Sequence, residues 1–418
     1  MGSGTFVKQK INPKASLSKF FNLVGIDLVL LAAIVALSGF GLLMVYSSST
    51  DFSLVVLGAD PNYLFFRQLM WFVLGFAVAA SLILIDYHLI QKAAIWMIAI
   101  SIIGLVAVLL GNELRNGAVR TFMNGSIQPS EFAKLVTILY LSVWLSNKKD
   151  TLHEAKLGLI PLAVIVGIIS GLILLQPDIS ATLTIILLGA MLFFLANGDI
   201  KQIGLVILII AVIALLMYLV SSTAQARISQ YLDFLKDPSQ AEPQLRQSLA
   251  AIVNGKFFGV GLGESNAKLT GLQLPHSDSI FAVLVEETGL LGALILVALY
   301  GVVLWRGLKI SRNAPDMLGS IMAAGLTFWI CIEAAFNMGA IVGILPLAGS
   351  ALPFISYGGS SLLSNMAAIG ILMSIARQQN VQGNNTQERR PYRATVDLRR
   401  GNRRRSVSRS RRRSNPGK

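Results

Sequence analysis

Cysteine and histidine are both scarce in this chain. Among its 418 residues there are one cysteine and three histidines. Cys331 lies inside an apolar run, so the sequence offers neither a disulfide framework nor a cysteine metal site. His88, His153 and His276 are far apart and match no zinc-binding spacing. A metal held by oxygen ligands remains compatible with the sequence.

Charged residues are also few, at 13% of the chain against 54% hydrophobic residues. With a mean hydropathy of +0.66, the chain is too apolar for a soluble domain of this length. Continuous apolar runs such as 157–175 suit membrane helices, which need about 20 residues, whereas strands of a membrane barrel would alternate over about 10. The sequence therefore predicts an all-α integral membrane protein.

Most of the formal net charge of +14 lies at one end of the chain. Residues 378–418 carry twelve Arg and one Lys against Glu388 and Asp397, and this composition predicts a disordered tail. Anionic lipid of the cytoplasmic leaflet is the favoured partner, because each basic residue near a bilayer contributes ~1 kcal/mol. Nucleic acid is the less favoured alternative.

Ten apolar stretches predict membrane helices. Their approximate limits are 23–46, 68–86, 89–111, 131–146, 157–175, 179–196, 202–221, 279–305, 315–342 and 360–377. An even number places both termini on one side, and their Lys and Arg content assigns that side to the cytoplasm. The predicted parts are thus a basic segment (1–22), a ten-helix domain (23–377) with a large extracytoplasmic loop (about 222–278) between helices 7 and 8, and the cytoplasmic tail.

Ionisable residues border the predicted outward loops. Glu131 and Lys134 are three residues apart and so share one helix face. Such a pair in a membrane helix faces the bundle interior or a wet cavity, which leaves open a packing salt bridge or a site for a charged substrate. Asp178 follows a proline and either caps the next helix or faces the same cavity.

The large loop holds two further candidates. Its glycine-rich stretch, 259–263, resembles a phosphate-binding loop, but the spacing fits no such motif and is more typical of a tight turn. Lys268 is either a phosphate-binding cation or a solvated charge. Asp278, where the chain re-enters apolar sequence, is either a helix N-cap or a carboxylate for chemistry. Ser356 lies in a later polar segment, 353–361, that we expect to line a water-filled cavity.

Four of these segments, in order, resemble the SEDS family (shape, elongation, division and sporulation). They are Gln-Pro-Ser-Glu-Phe-Ala-Lys at 128–134, Gln-Pro-Asp at 176–178, Leu-Pro-His-Ser-Asp at 274–278 and Pro-Phe-Ile-Ser-Tyr-Gly-Gly-Ser-Ser at 353–361. The resemblance spans about residues 25–377 and implies a peptidoglycan glycosyltransferase that polymerises lipid II with inversion. It makes Asp278 the catalytic base and places Glu131, Lys134 and Asp178 in the substrate cavity.

The resemblance carries further expectations. Arg120, Lys134, Lys268 or a divalent cation, Mg or Mn, would meet the leaving pyrophosphate, and Ser356 would contact substrate. Expected partners are lipid II, a class B penicillin-binding protein and other division proteins, at the septum of the bacterial cytoplasmic membrane. The Arg-rich tail and Ser-Ser-Leu-Leu at 360–363 resemble the division branch more than the elongation branch.

Three alternatives stay open from the sequence: an elongation-type polymerase, a lipid II flippase and a structural division scaffold. The chain also departs from the family pattern at Glu333, where Gln is common. This residue adds a possible buried charge to the cavity and leaves its electrostatics open.

Overall fold

A computed structural model describes residues 25–388, except 56, 114–127, 149–151, 153, 155, 177, 197–211, 213, 214, 216, 217, 220, 221 and 348. The described residues form helices and contain no β-strand. The helices are α1 (Leu28–Val55), α2 (Tyr63–Leu84), α3 (Tyr87–Glu113), α4 (Pro129–Asn147), α5 (Leu159–Leu174), α6 (Ile179–Leu195), α7 (Ser222–Lys236), α8 (Pro243–Gly255), α9 (Ile280–Arg312), α10 (Met317–Ile341) and α11 (Gly359–Glu388). A single 3₁₀ turn, Pro238–Gln240, joins α7 to α8.

Six of the described helices are long and apolar enough to cross a membrane. They are α1, α2, α3, α9, α10 and α11, and α5 and α6 are shorter apolar helices. This agrees with the predicted all-α membrane protein, while the number of spans stays a prediction. The basic segment 1–22 lies outside the described residues, and so does most of the predicted seventh span, 202–221.

Two predicted boundaries differ from the structure. The large loop contains α7 and α8, two helices that its polar composition concealed. The last helix continues beyond 377, the predicted end of the span, to Glu388, so the start of the tail that we predicted to be disordered is helical. Polar residues alone do not end a helix, and the first proline after this span is Pro391. The rest of the tail, 389–418, lies outside the described residues.

The centre of the bundle is formed by α4, α10 and α11. Over the apolar windows of α10 and α11, 72% and 83% of residues are buried, against 17% for α2. Helices with few buried residues present apolar side chains outward, as lipid-facing helices do. The polar residues on α4 and α10 therefore lie inside the protein and away from lipid.

Helix α9 is interrupted at Gly289, where φ is 72° and ψ is −170°. The residues before the break, Ile280–Thr288, are almost all buried, whereas those after it expose apolar side chains such as Leu294 and Ile295. A Cβ at residue 289 would lie 2.4 Å from the amide nitrogen of Gly259, so both the dihedral angles and the space require glycine here.

The glycine-rich loop fills this break with its backbone. The amides of Val260 and Gly261 donate to the carbonyls of Glu286 at 2.9 Å and Glu287 at 3.1 Å. In return, the Leu290 amide donates to the Lys256 carbonyl at 3.0 Å, and the following amide donates to the Phe257 carbonyl at 3.2 Å. These hydrogen bonds with the loop therefore replace the ones within the helix that the break removes.

Candidate active site

A polar cavity of about 210 Å³ lies between α4, α6, α10 and the start of α9. Four predicted site residues from three distant segments meet here: Glu131 and Lys134 from α4, Asp178 from the start of α6, and Asp278 from the segment before α9. The cavity is also lined by Gln128, Ser180, Thr184, His276, Ser277, Glu333, Gly349, Ser350, Tyr357, Ser360 and Ser361.

Lys134 contacts two carboxylates at the base of the cavity. Its ammonium group donates to Glu131 Oε1 at 2.8 Å and forms a second ion pair with Glu333 of α10. All three residues are at most 8% exposed, and the Trp329 ring lies 5.8 Å from the Lys134 nitrogen. The predicted salt bridge between helices is formed by Lys134 and Glu333, while the Glu131–Lys134 pair lies within α4 and lines the cavity. A role of the pair in binding a charged substrate stays a prediction.

Asp178 both caps α6 and lines the cavity, while its role in binding substrate stays a prediction. Its Oδ1 accepts a hydrogen bond from the Ala181 amide at 3.1 Å and so caps α6. Its Oδ2 accepts from the Gln128 side chain at 3.0 Å and from the Ser130 hydroxyl at 3.2 Å. The carboxylate thereby joins the first turns of α4 and α6 at the cavity wall.

Asp278 does not cap a helix, because α9 begins at Ile280 and its N-cap residue is Ser279. The Ser277 hydroxyl donates to Asp278 Oδ1 at 3.0 Å. The Asp278 backbone is held from α10, where the Asn337 side-chain amide donates to the Asp278 carbonyl at 2.9 Å. The Asp278 side chain is half-buried and lines the cavity wall.

Asp278 and Arg227 approach the same point beside Gly349. A Cβ built on Gly349 would lie 3.4 Å from Asp278 Oδ2 and 3.8 Å from Arg227 Nη2. Gly349 has a φ of 62°, a region that favours glycine. Helix α7 therefore brings a guanidinium group to the mouth of the cavity next to the carboxylate.

The remaining predicted site residues lie elsewhere. Ser356 is a structural link, since its hydroxyl accepts from the Leu352 amide at 2.8 Å and donates to the Ser277 carbonyl at 2.8 Å. Lys268 lies outside the cavity and pairs with Glu287 at 3.5 Å. Arg120 falls outside the described residues.

The glycine-rich loop is a tight turn and does not form a phosphate cradle. Three consecutive amides of the loop already have acceptors: Gly259 donates to the Gly255 carbonyl, and Val260 and Gly261 donate to carbonyls of α9. A Cβ on Gly259 would lie 2.1 Å from the Glu287 carbonyl oxygen, so the glycine serves close backbone packing.

Two neutral aromatic groups complete the wall near Asp278. His276 is 5% exposed, and burial lowers the pKa of its imidazole to about 4. Its ring contacts those of Phe52, with centroids 4.4 Å apart, and Tyr357, at 5.6 Å. Burial raises the pKa of the Tyr357 phenol, which remains protonated at neutral pH. Both groups can exchange hydrogen bonds with a ligand without adding charge.

An almost wholly apolar groove of about 230 Å³ adjoins the cavity. Ser180 lines both spaces, and Arg227 lines the groove while reaching towards Asp278. The other groove residues are Ile179, Leu183, Tyr218, Ala224, Ile228, Phe336, Leu345, Pro346 and Leu347. Apolar and polar binding surfaces thus meet at one junction.

Three residues that shape this site were not among the predicted site residues. Glu333 was noted only as a possible buried charge, and Asn337 and Arg227 were not singled out. Glu333 and Asn337 are four residues apart, so their shared helix face was a readable signal of a polar stripe on α10. Arg227 carried no such signal, because α7 lies in sequence that reads as a polar loop.

Residues 28–381 match a family model, FTSW_RODA_SPOVE, described as "cell cycle protein". The chain is similar to a probable peptidoglycan glycosyltransferase FtsW of Trichlorobacter lovleyi, with 36% identity over 86% of this chain and 95% of that protein. A protein of the same name from Bacillus subtilis is 35% identical, covering 84% and 90%. Stage V sporulation protein E of B. subtilis is 34% identical, covering 84% and 97%.

Two solved structures resemble the fold. One is a chain of a peptidoglycan synthase complex, solved in a study of the structural coordination of polymerisation and crosslinking. Its TM-score is 0.67 at 22% identity, and the match covers 85% of this chain and 98% of that chain. Rod shape determining protein RodA of Thermus thermophilus has a TM-score of 0.60 and 22% identity, covering 85% and 97%. At this identity the likeness shows the arrangement of helices.

Proposed function

This chain belongs to the FtsW, RodA and SpoVE family of cell cycle proteins, and from that membership we propose that it is a peptidoglycan glycosyltransferase. Its reaction would be the polymerisation of lipid II into glycan strands. The relatives named FtsW support the division branch over the elongation branch, with activity at the septum of the cytoplasmic membrane.

The observation that carries this proposal is the junction of the apolar groove with the polar cavity. A lipid-linked disaccharide has an apolar prenyl chain and a polar sugar-pyrophosphate head, and it needs both kinds of surface side by side. The groove offers almost exclusively apolar side chains, while the cavity offers carboxylates, amides and hydroxyls. With the chain in the groove, the head group would reach the junction near Ser180 and Arg227.

In this arrangement Asp278 acts as the general base. The acceptor 4-hydroxyl forms a bond to the donor C1, its proton passes to the Asp278 carboxylate, and the bond from C1 to the pyrophosphate oxygen breaks. A single displacement of this kind inverts C1 and requires no second carboxylate as nucleophile. A positioned base typically contributes 10²–10⁴-fold to the rate.

Arg227 supplies positive charge where the pyrophosphate would leave. The resemblance implied Arg120, Lys134, Lys268 or a divalent cation for that role, but Lys134 pairs with two carboxylates and Lys268 lies outside the cavity. Arg227 lies next to the point that Asp278 also approaches, and a guanidinium group matches phosphate geometry. Opposite charges thus flank the reacting centre.

The part of the chain that the structure describes holds no group of three or more His, Cys, Asp and Glu residues able to bind a metal ion. A divalent cation therefore stays a prediction from the resemblance, and the steps above use only side chains of this chain.

A class B penicillin-binding protein is the proposed partner. One structural neighbour comes from a peptidoglycan synthase complex in which polymerisation and crosslinking are coordinated, which supports such an assembly for a chain of the same fold. Other division proteins and anionic lipid at the Arg-rich tail are further proposed partners.

The test is glycan-chain formation from lipid II by the purified protein, with and without a cognate transpeptidase. We expect polymer from the native chain and a fall of roughly 10²-fold or more for Asp278→Asn. Asp233→Asn, which makes the same change on an exposed face of α7, should leave the rate unaltered. Transport of lipid II across vesicles with no polymer under any condition would contradict a polymerase and favour a flippase.

A further inference from the structure

The loop that fills the break in α9 ends in exposed apolar side chains. Phe257, Phe258, Val260 and Leu262, which we call the apolar tip, are 50%, 77%, 42% and 63% exposed. Water-soluble proteins rarely expose such a contiguous apolar surface, and when it occurs it marks contact with a membrane or a protein.

The depth of the apolar tip follows from its hydrogen bonds to α9. The amides of Leu290 and Leu291 donate to the carbonyls of Lys256 and Phe257, so the tip lies level with the first turn after the break. A helix rises ~1.5 Å per residue, so the stretch from Leu290 to Arg306 or Lys309 covers roughly 24–29 Å, close to the thickness of the hydrocarbon core. The basic residues mark one membrane surface, and the tip is therefore level with the other.

The apolar tip also continues the lipid-facing surface of α9. Leu290 and Leu291 are 47% and 45% exposed. On the following turn, Leu294 and Ile295 are 56% and 54% exposed. Lys256 is exposed beside the tip, where its ammonium group can reach lipid phosphates while its aliphatic stem stays in the interface. Continuity, depth and this neighbouring cation all favour lipid over water.

We propose that the apolar tip is a membrane-inserted anchor, which places Phe257, Phe258 and Leu262 among the acyl chains of the outer leaflet at the headgroup boundary. The partner is bilayer lipid, and the inserted element is a loop whose backbone is held by α9. This loop precedes Asp278 in the chain and contacts the helix that follows it, so the anchor sets the depth of the segment that carries the carboxylate.

The first experiment measures depth with a fluorophore in vesicles of phosphatidylcholine and phosphatidylglycerol. In a Cys331→Ala background, NBD is attached through Phe258→Cys or Leu262→Cys. Leu294→Cys is the control within the bilayer, and Gln240→Cys, exposed on the same large loop, is the control in water. Lipids carrying a nitroxide near the headgroup and aqueous iodide serve as the two quenchers.

We expect the lipid nitroxide to quench NBD at residues 258 and 262 several-fold more than NBD at residue 240, and nearly as much as NBD at residue 294. Iodide should quench NBD at residue 240 the most. Iodide quenching equal to that at residue 240 would overturn the proposal. Protection from both quenchers would overturn it as well, because protein would then cover the tip. A lipid signal that disappears on adding the transpeptidase partner would assign the tip to that protein instead.

A second experiment uses the unmodified chain. Trypsin cleaves after Lys256 and Lys268, so the whole apolar tip falls in one peptide, 257–268. Lipids with a photoactivatable diazirine in the acyl chain should label this peptide, whereas the peptide that contains Gln240 should stay unlabelled. Absence of label on 257–268 would contradict insertion even if the labelled variants failed to fold.

Discussion

The Asn337 side-chain amide donates to two backbone carbonyls, that of Asp278 at 2.9 Å and that of Ser350 at 2.6 Å. It thereby holds the segment that carries the proposed base against the segment that faces it across the cavity, both from the rigid helix α10. Asn337 touches neither carboxylate oxygen of Asp278 and acts by positioning.

Asn337→Asp keeps the shape of the side chain but removes both donors. We expect kcat to fall by roughly 10- to 100-fold with little change in KM, because small misplacement of a catalytic group is costly. Asn313→Asp, the same change at the exposed end of α9, should have no effect. If KM rose while kcat held, Asn337 would contribute to substrate binding rather than to the placement of Asp278.

Lys134→Met should strongly destabilise the protein. The change leaves Glu131 and Glu333 buried together without their cation, and breaking a buried ion pair in this way costs about 3–5 kcal/mol. Adding Glu131→Gln and Glu333→Gln removes the uncompensated charges and should restore most of the lost thermal stability in detergent.

The exposed pair of Lys236 and Asp233 provides the control for this series. These residues are also three apart, and their charged atoms lie 3.7 Å from each other on the surface of α7. Lys236→Met should leave the melting temperature nearly unchanged. Equal losses in Lys134→Met and in the triple variant would show that packing, and not charge, explains the effect.

Stability should fall on acidification because of His276. Burial lowers its pKa from 6.5 to about 4. Between these two pH values the imidazole is protonated in the unfolded chain and neutral in the folded chain, so acid favours unfolding. The loss begins near pH 6.5 and reaches roughly 3 kcal/mol once the pH passes below 4. His276→Gln should reduce the dependence of the melting temperature on pH between pH 7.5 and 5. An unchanged dependence would assign the acid sensitivity to other groups.

Gly289→Ala should disrupt the joint between loop and helix. The added methyl group would lie 2.4 Å from the Gly259 amide nitrogen and the Phe257 carbonyl oxygen, at a φ of 72° that disfavours alanine. We expect a loss of more than ~1 kcal/mol, measured as a lower melting temperature. Gly301→Ala is the matched control, because its Cβ meets no atom within 4 Å and alanine favours a helix. Similar melting temperatures for the two variants would show that the break tolerates a side chain.

Local spacing in the sequence was sufficient to predict the positions of some residues of the site. Glu131 and Lys134 share a face because three residues nearly complete a helical turn, and the proline before Asp178 marked the start of α6. These features depend on local geometry, which a sequence encodes directly.

Other features depend on how distant segments pack. The ion pair between Lys134 and Glu333 joins residues 199 positions apart, and no local pattern specifies it. Arg227 and Asp278 approach the same point beside Gly349 although they are 51 positions apart. Lys268 pairs with Glu287 of α9, and this contact between loop and helix places its ammonium group outside the predicted site.

The backbone joint at Gly289 has a mechanical consequence. Four hydrogen bonds fasten the loop to both sides of the break in α9, and the short buried helix Ile280–Thr288 runs from that joint to Ser279 and Asp278. The loop and the segment that carries Asp278 are therefore joined by one short helix of nine residues, with hydrogen-bonded backbone at its far end.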